Sequence, residues 1–214
     1  FLLFCSRQWA IPGLMSAPDI TWQVEDGARH NFSPACPRFA RGLYIAAAPC
    51  AELPGWGLGD TDHGLRMMSL TSWLDLLCQC KIEHVICIMN DEELEKKFGN
   101  LGDGGLEATC RGQGLGFSPV AVQEPSETLQ EVLHQLQKLP KSQSTVLVCH
   151  DGRGSSAAAA VAWLTLRCGQ TLDSSINAVV EAARQVGASR APLEAFENRE
   201  AFCAALSKVQ GSGE

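Results

Sequence analysis

The chain has 214 residues, with Lys+Arg 17 against Asp+Glu 24, a net charge of −7 and a pI near 5.3. That balance excludes a sequence-independent grip on nucleic acid or on an anionic membrane, both of which need a basic face. With 45% hydrophobic residues the chain can bury one core of ordinary size, so one domain is expected over residues 18–209, between an N-terminal extension at 1–17 and a flexible tail at 210–214.

The opening FLLFC is too short for a signal-peptide core and lacks a basic flank. No apolar run is long enough to span a membrane as a helix. The chain starts at Phe1 rather than a methionine, so residues before Met15 read as upstream sequence or the remnant of a longer chain. Further on, NFSPACPRFAR reads as an irregular lead-in to a short strand at Gly42–Ala46, and a glycine-rich loop, PGWGLGDTDHG, follows. Ser72–Cys80 is amphipathic, with Trp73, Leu76 and Leu77 on one face, and His84–Ile88 is a continuous apolar run of strand length. Asp91–Phe98 opens on three acids and closes on Lys96 and Lys97, the charge order that suits a helix dipole.

Between Gly99 and Gly116 the chain carries seven glycines, which predicts a mobile loop with at most a short element around Leu106–Cys110. Phe117–Val122 reads as a strand. Ser126–Leu139 reads as a helix with Leu129, Val132, Leu133, Leu136 and Leu139 on its buried stripe. Thr145–Cys149 is a third apolar, β-branched run, followed by the alanine-rich helix Ser156–Cys168 and two more helices at Ser174–Val186 and Leu193–Val209. Alternating strands and helices predict the α/β class: a single domain with a central, mostly parallel sheet flanked by helices. Trp73 and Trp163 fall on apolar helical faces and are expected in the core.

The ten cysteines are scattered, and only Cys78 and Cys80 lie close together, without the C-x-x-C spacing that zinc sites favour. They read as reduced, mostly buried thiols of a cytoplasmic or nuclear protein, and neither a metal nor a cofactor is expected.

The informative segment is VLVCHDGRGSSA, Val146–Ala157. A glycine-containing turn from strand to helix directs successive backbone N–H groups at one point, and the helix dipole favours an oxyanion there. A cysteine at the strand end faces the same donors, which stabilise its thiolate and make it a nucleophile. The turn resembles that of cysteine-dependent phosphatases, in which the cysteine attacks phosphorus, an arginine six residues on clamps two equatorial oxygens, and an aspartate on another loop protonates the leaving oxygen. The pattern is C-x-x-G-x-x-R-S/T. Here Cys149 takes the nucleophile position, Gly152 the glycine, Ser155 the arginine position and Ser156 the hydroxyl, so His150, Asp151, Gly152, Arg153, Gly154, Ser155 and Ser156 form the candidate phosphate-binding loop. His150 reads as a loop residue rather than a base, and Asp151 beside Arg153 as a local ion pair.

The strings GLYIAAAPC, CKIEHVICI, SPVAV and INAVVEAARQVGASRAPLEAFENREAF, with the loop, resemble the cyclin-dependent-kinase-associated dual-specificity phosphatases of the protein tyrosine phosphatase superfamily over roughly Pro18 to Leu206. A narrower resemblance, C-x-D-G-R followed by small residues, is to the inactive phosphatase-like domains of auxilin-type clathrin-uncoating proteins. The first resemblance implies a phosphatase fold, a cyclin-dependent kinase or other phosphoprotein as partner, and a general acid just after the P-V-A string. That position is Val122, which has no proton to donate; Glu124 and Asp103 are nearby carboxylates with no motif behind them.

Losing the arginine costs on the order of 10²–10³ in rate if it resembles loss of an oxyanion donor. Losing the acid costs about 10²–10⁴ more on poor leaving groups. Three readings follow: a pseudophosphatase that binds a kinase or phosphoprotein, a slow cysteine-dependent phosphatase, and a redox-responsive thiol protein. The two losses together favour the first.

Overall fold

The computed structural model describes residues 24–36, 42–51, 63–99, 104–190 and 199–211. Among them five strands form one sheet in the order β1-β2-β5-β3-β4. The strands are β1 Ser33–Pro34, β2 Leu43–Ala47, β3 His84–Ile88, β4 Gly116–Val120 and β5 Thr145–Cys149. β2, β5, β3 and β4 pair in parallel and β1 adds antiparallel to β2, so the sheet is mostly parallel as expected. The described helices are α1 Val24–Arg29, α2 His63–Gln79, α3 Asp91–Phe98, α4 Gly105–Gly112, α5 Pro125–Lys138, α6 Ser155–Cys168, α7 Leu172–Arg184 and α8 Arg199–Gly211.

Period-2 alternation divides the core between the two faces of the sheet. Leu43, Ile45, Ile86, Ile88, Leu147 and Cys149 pack with the buried residues of α5, α6, α7 and α8. Tyr44, Ala46, Val85, Cys87, Val146 and Val148 pack on the other side with α2, Phe98 of α3, and Leu106 and Cys110 of α4. Both faces are covered, which is why these strands read as continuous apolar runs rather than as alternating ones. Among the described residues no helix is long and apolar enough to cross a membrane.

Several expectations are corrected in detail. The supposed irregular lead-in contains β1, where Pro34 is tolerated because the strand is at the sheet edge, and Phe32 beside it is fully buried. α2 begins at His63, inside the string taken as a glycine-rich loop, nine residues before Ser72. Its exposed Met67 and Met68 gave no apolar stripe to read, and its burial comes from Leu70, Trp73, Leu76 and Leu77 further along. α4 forms at the place of the short element expected around Leu106–Cys110, extending to Gly105–Gly112. Leu106 and Cys110, one turn apart, are buried, and Arg111 pairs with Glu107 at 2.8 Å. Tertiary burial there outweighs a glycine penalty of roughly 0.5–1 kcal/mol per residue. Trp73 is fully buried, whereas Trp163 is only half-buried. The last helix runs from Arg199 to Gly211, past Val209, and the first part of the expected 193–209 span lies outside the described residues, as do residues 1–17.

The edge pair β3–β4 is tied by His84 Nε2 and Ser118 Oγ at 2.9 Å. Burial, and secondarily the charge of Arg111, lower the pKa of His84. The folded state therefore holds that proton less tightly than the unfolded chain, whose histidine titrates near 6.5. Stability from this group is full above that pH and is lost as pH falls through the folded value. Urea midpoints measured from pH 7.5 to pH 5 should fall less for His84→Gln than for the parent protein; parallel curves would contradict the assignment.

Candidate functional site

All four parallel strands end on one edge of the sheet, and the candidate loop leaves that edge from β5, near its middle. Ala47 of β2 is in register with Cys149, and Ala48 N–H donates to Cys149 O at 2.8 Å. Ala47 N–H in turn donates to His30 O at 2.8 Å, and the Trp73 indole N–H to Ala47 O at 3.1 Å, so α2 and the segment before β1 both anchor this end of β2.

Gly152 is the loop residue that this anchoring constrains most. Its φ is +69°, and a Cβ there would lie 2.6 Å from Ala47 N and 2.7 Å from the Ala46 carbonyl carbon. Both the left-handed conformation and the backbone-to-backbone approach require glycine. The loop is thereby pressed against the end of β2 and enters α6 at Ser155.

Cys149 is 5% exposed at the strand end, and its Sγ lies 3.0 Å from Oγ of Ser156, which is fully buried. Ser155, the position expected from the resemblance to hold an arginine, is half-buried and is the first residue of α6. Its N–H and that of Ser156 belong to the first turn of α6, which has no intrahelical acceptors. His150, Asp151, Arg153 and Gly154 are exposed. The expected ion pair between Asp151 and Arg153 is replaced by a shorter-range contact: Asp151 Oδ1 accepts the backbone N–H of Arg153 at 2.9 Å and lies 3.7 Å from Cys149 Sγ. A carboxylate two residues before an N–H satisfies it locally, leaving the guanidinium in solvent.

Val122 is 39% exposed, two residues past β4, and donates its N–H to Oδ1 of Asn90 at 3.0 Å. It shares the edge with Cys149, but β3 separates β4 from β5. Two strand spacings, about 10 Å, lie between the two positions. Glu124 flanks the start of α5 and is exposed; Asp103 is outside the described residues. The end of α3 supplies a cation facing the loop: Lys97, whose pKa burial lowers against the opposing charges of Glu93 and Asp151. The pKa of His150 is lowered by burial and then by Lys97.

Two residues on the loop's flank carry no signal in the sequence. Asn31 donates Nδ2 to Asp151 O at 2.7 Å and accepts Ser189 N–H at 2.7 Å. Arg190, 1% exposed, donates to Asn31 O at 3.1 Å, Ser33 Oγ at 2.7 Å and Ser189 O at 2.9 Å. Burial lowers its pKa to about 10, opposed by Cys149 and Asp151. Asn31 and Arg190 are 159 positions apart, so no spacing links them before the chain folds.

Among the described residues, no two of the nine cysteines are joined by a disulfide. Burial pushes Cys80 and Cys110 up to about 12 and raises Cys87 as well, which leaves little thiolate on any of the three. Cys87 packs on the opposite face of the sheet from Cys149. Among the described residues no group of three or more His, Cys, Asp or Glu side chains is placed to hold a metal ion.

Gly152→Ala should lower stability by roughly 2–3 kcal/mol through left-handed strain and displacement of the loop from β2. Chemical denaturation measures this, and an unchanged midpoint would mean that the loop does not rest on Ala46 and Ala47.

No protein-family model matches the chain, and no curated protein matches it in sequence. Solved structures do. Kinase-associated phosphatase, in a form with serine in place of its catalytic-site cysteine, is similar at a TM-score of 0.51 and 17% identity, covering 78% of this chain and 93% of that one. A DUF442 protein of Shewanella putrefaciens is similar at a TM-score of 0.50 and 12% identity, covering 89% and 98%. The chain therefore has the protein tyrosine phosphatase-like fold, a single α/β domain with a mostly parallel sheet between helices.

Proposed function

We propose that the protein is a pseudophosphatase, which binds phosphate or a phosphorylated protein side chain in the loop Cys149–Ser156 without hydrolysing it. The observation that carries this reading is the loop itself: Cys149 at the end of β5 beside the Ser156 hydroxyl, Gly152 pressed on β2, and a serine where the clamp belongs. Anion binding in such a turn depends on backbone N–H groups and the dipole of α6, neither of which needs the missing side chains. Turnover depends on the arginine clamp at position 155 and on a proton donor at position 122, and serine and valine supply neither.

Candidate partners are phosphoproteins, and the sequence resemblance to cyclin-dependent-kinase-associated phosphatases supports a cyclin-dependent kinase among them. The free thiols support a reducing cytoplasmic or nuclear setting. The redox reading loses ground, because Cys80, Cys87 and Cys110 are poor thiolates and Cys87 is behind the sheet.

The test is an assay of the full chain with an aryl phosphate and a phosphothreonine peptide, beside Cys149→Ser and Ser155→Arg. The parent protein should show no cysteine-dependent turnover, while Ser155→Arg should raise aryl phosphate hydrolysis on the order of 10²–10³. Orthovanadate at about a hundred times its Kd should stabilise the fold by about 2.7 kcal/mol, seen as a rise in Tm. Cysteine-dependent turnover in the parent protein would sink the proposal, as would the absence of any shift with vanadate or phosphate.

A further inference from the structure

Arg190 is a buried cation with no acidic partner among the described residues. Its hydrogen bonds to described residues end on two backbone carbonyls and a hydroxyl, and its buried Nε has no acceptor among the described residues. A guanidinium 1% exposed is strongly disfavoured unless an anion faces it. Among the described residues, Asp151 and, when ionised, Cys149 act on it with negative charge from the candidate loop, and Arg153 acts on it with positive charge. A covalent and hydrogen-bonded route joins the two places. Arg190 holds Asn31 O, and the Asn31 side chain holds Asp151 O on one side and Ser189 N–H on the other.

We propose that Arg190 is a positioning residue for the loop, supplying from the protein interior the fixed positive charge that Ser155 does not supply from the helix. It fixes the loop backbone through Asn31 and favours negative charge at Cys149, on the sulfur or on an oxyanion held above it. This differs from a transferred clamp, because a buried guanidinium engaged with Asn31 and Ser33 acts through its field and does not fork onto two phosphoryl oxygens. It rests on the oxyanion-binding reading above.

The charge can be separated from the scaffolding by alkylating Cys149 in the full chain with anionic iodoacetate and with neutral iodoacetamide, and following the Cys149 peptide by mass spectrometry. A structural effect changes both rates together, whereas a lost positive field changes their ratio. Arg190→Gln should lower the iodoacetate-to-iodoacetamide ratio about fivefold, the size of a unit charge acting from several ångströms at intermediate dielectric. It should weaken orthovanadate binding by about the same factor. Arg190→Lys should hold the ratio within about twofold, and so should Ser33→Ala, which removes an acceptor and keeps the charge. An unchanged ratio in Arg190→Gln overturns the proposal.

If that variant does not fold, exposed Cys78 of the parent chain serves as the internal reference. Cys149 should show a ratio about fivefold higher than Cys78, and the excess should persist in Arg153→Gln. Its absence, or its disappearance with Arg153, overturns the assignment to Arg190. A displaced ratio without vanadate binding would remove the oxyanion reading and leave the role of Arg190. Vanadate binding with an unchanged ratio would do the reverse.

Discussion

The candidate site depends on the contact between Gly152 and the end of β2. The 2.6 Å that would separate a side-chain carbon at 152 from Ala47 N is too short for any residue but glycine, so the turn from β5 to α6 is braced against a neighbouring strand. That strand end is held by the His30 carbonyl, the Cys149 carbonyl and the Trp73 indole together. Loop curvature, the position of Cys149 and the direction of α6 all follow from it. A strand-to-helix turn can direct backbone N–H groups at one point without any charged side chain.

Electrostatics around that point are mixed. Asp151 brings a carboxylate within 3.7 Å of Cys149 Sγ, but it is exposed and already accepts the Arg153 N–H. Positive charge comes from three directions at different depths: Arg153 in solvent, Lys97 at the end of α3, and Arg190 in the interior. Solvent screening weakens the first most, while the buried guanidinium is screened least and has no carboxylate partner among the described residues.

The fold of the chain is that of protein tyrosine phosphatase-like structures. A fold of this kind positions groups; what it does with them depends on which side chains stand at each position. The resemblance read from the sequence would put an arginine at position 155 and a proton donor at position 122, where this chain has a half-buried serine and an exposed valine. The two are separated by a strand and by 33 residues of chain, so one local rearrangement cannot restore both.

The sequence by itself determined the elements whose burial shows in their composition. β3, β5 and α3 have the predicted bounds, and α5 and α6 start within one residue of them, because strands covered on both faces are continuous apolar runs and a helix with one buried stripe repeats every three to four residues. It also located the turn that carries Cys149, Gly152, Ser155 and Ser156 between a strand and a helix, and that turn lies between β5 and α6, since the pattern is local. Tertiary structure decided the rest. α4 forms among glycines because Leu106 and Cys110 find a core to enter, and β1 exists only because β2 offers it an edge. The link from Arg190 through Asn31 to Asp151 spans about three quarters of the chain, and a buried charge held over that distance leaves no pattern in composition or spacing; only the packing of the segment after α7 against β1 brings it beside the loop.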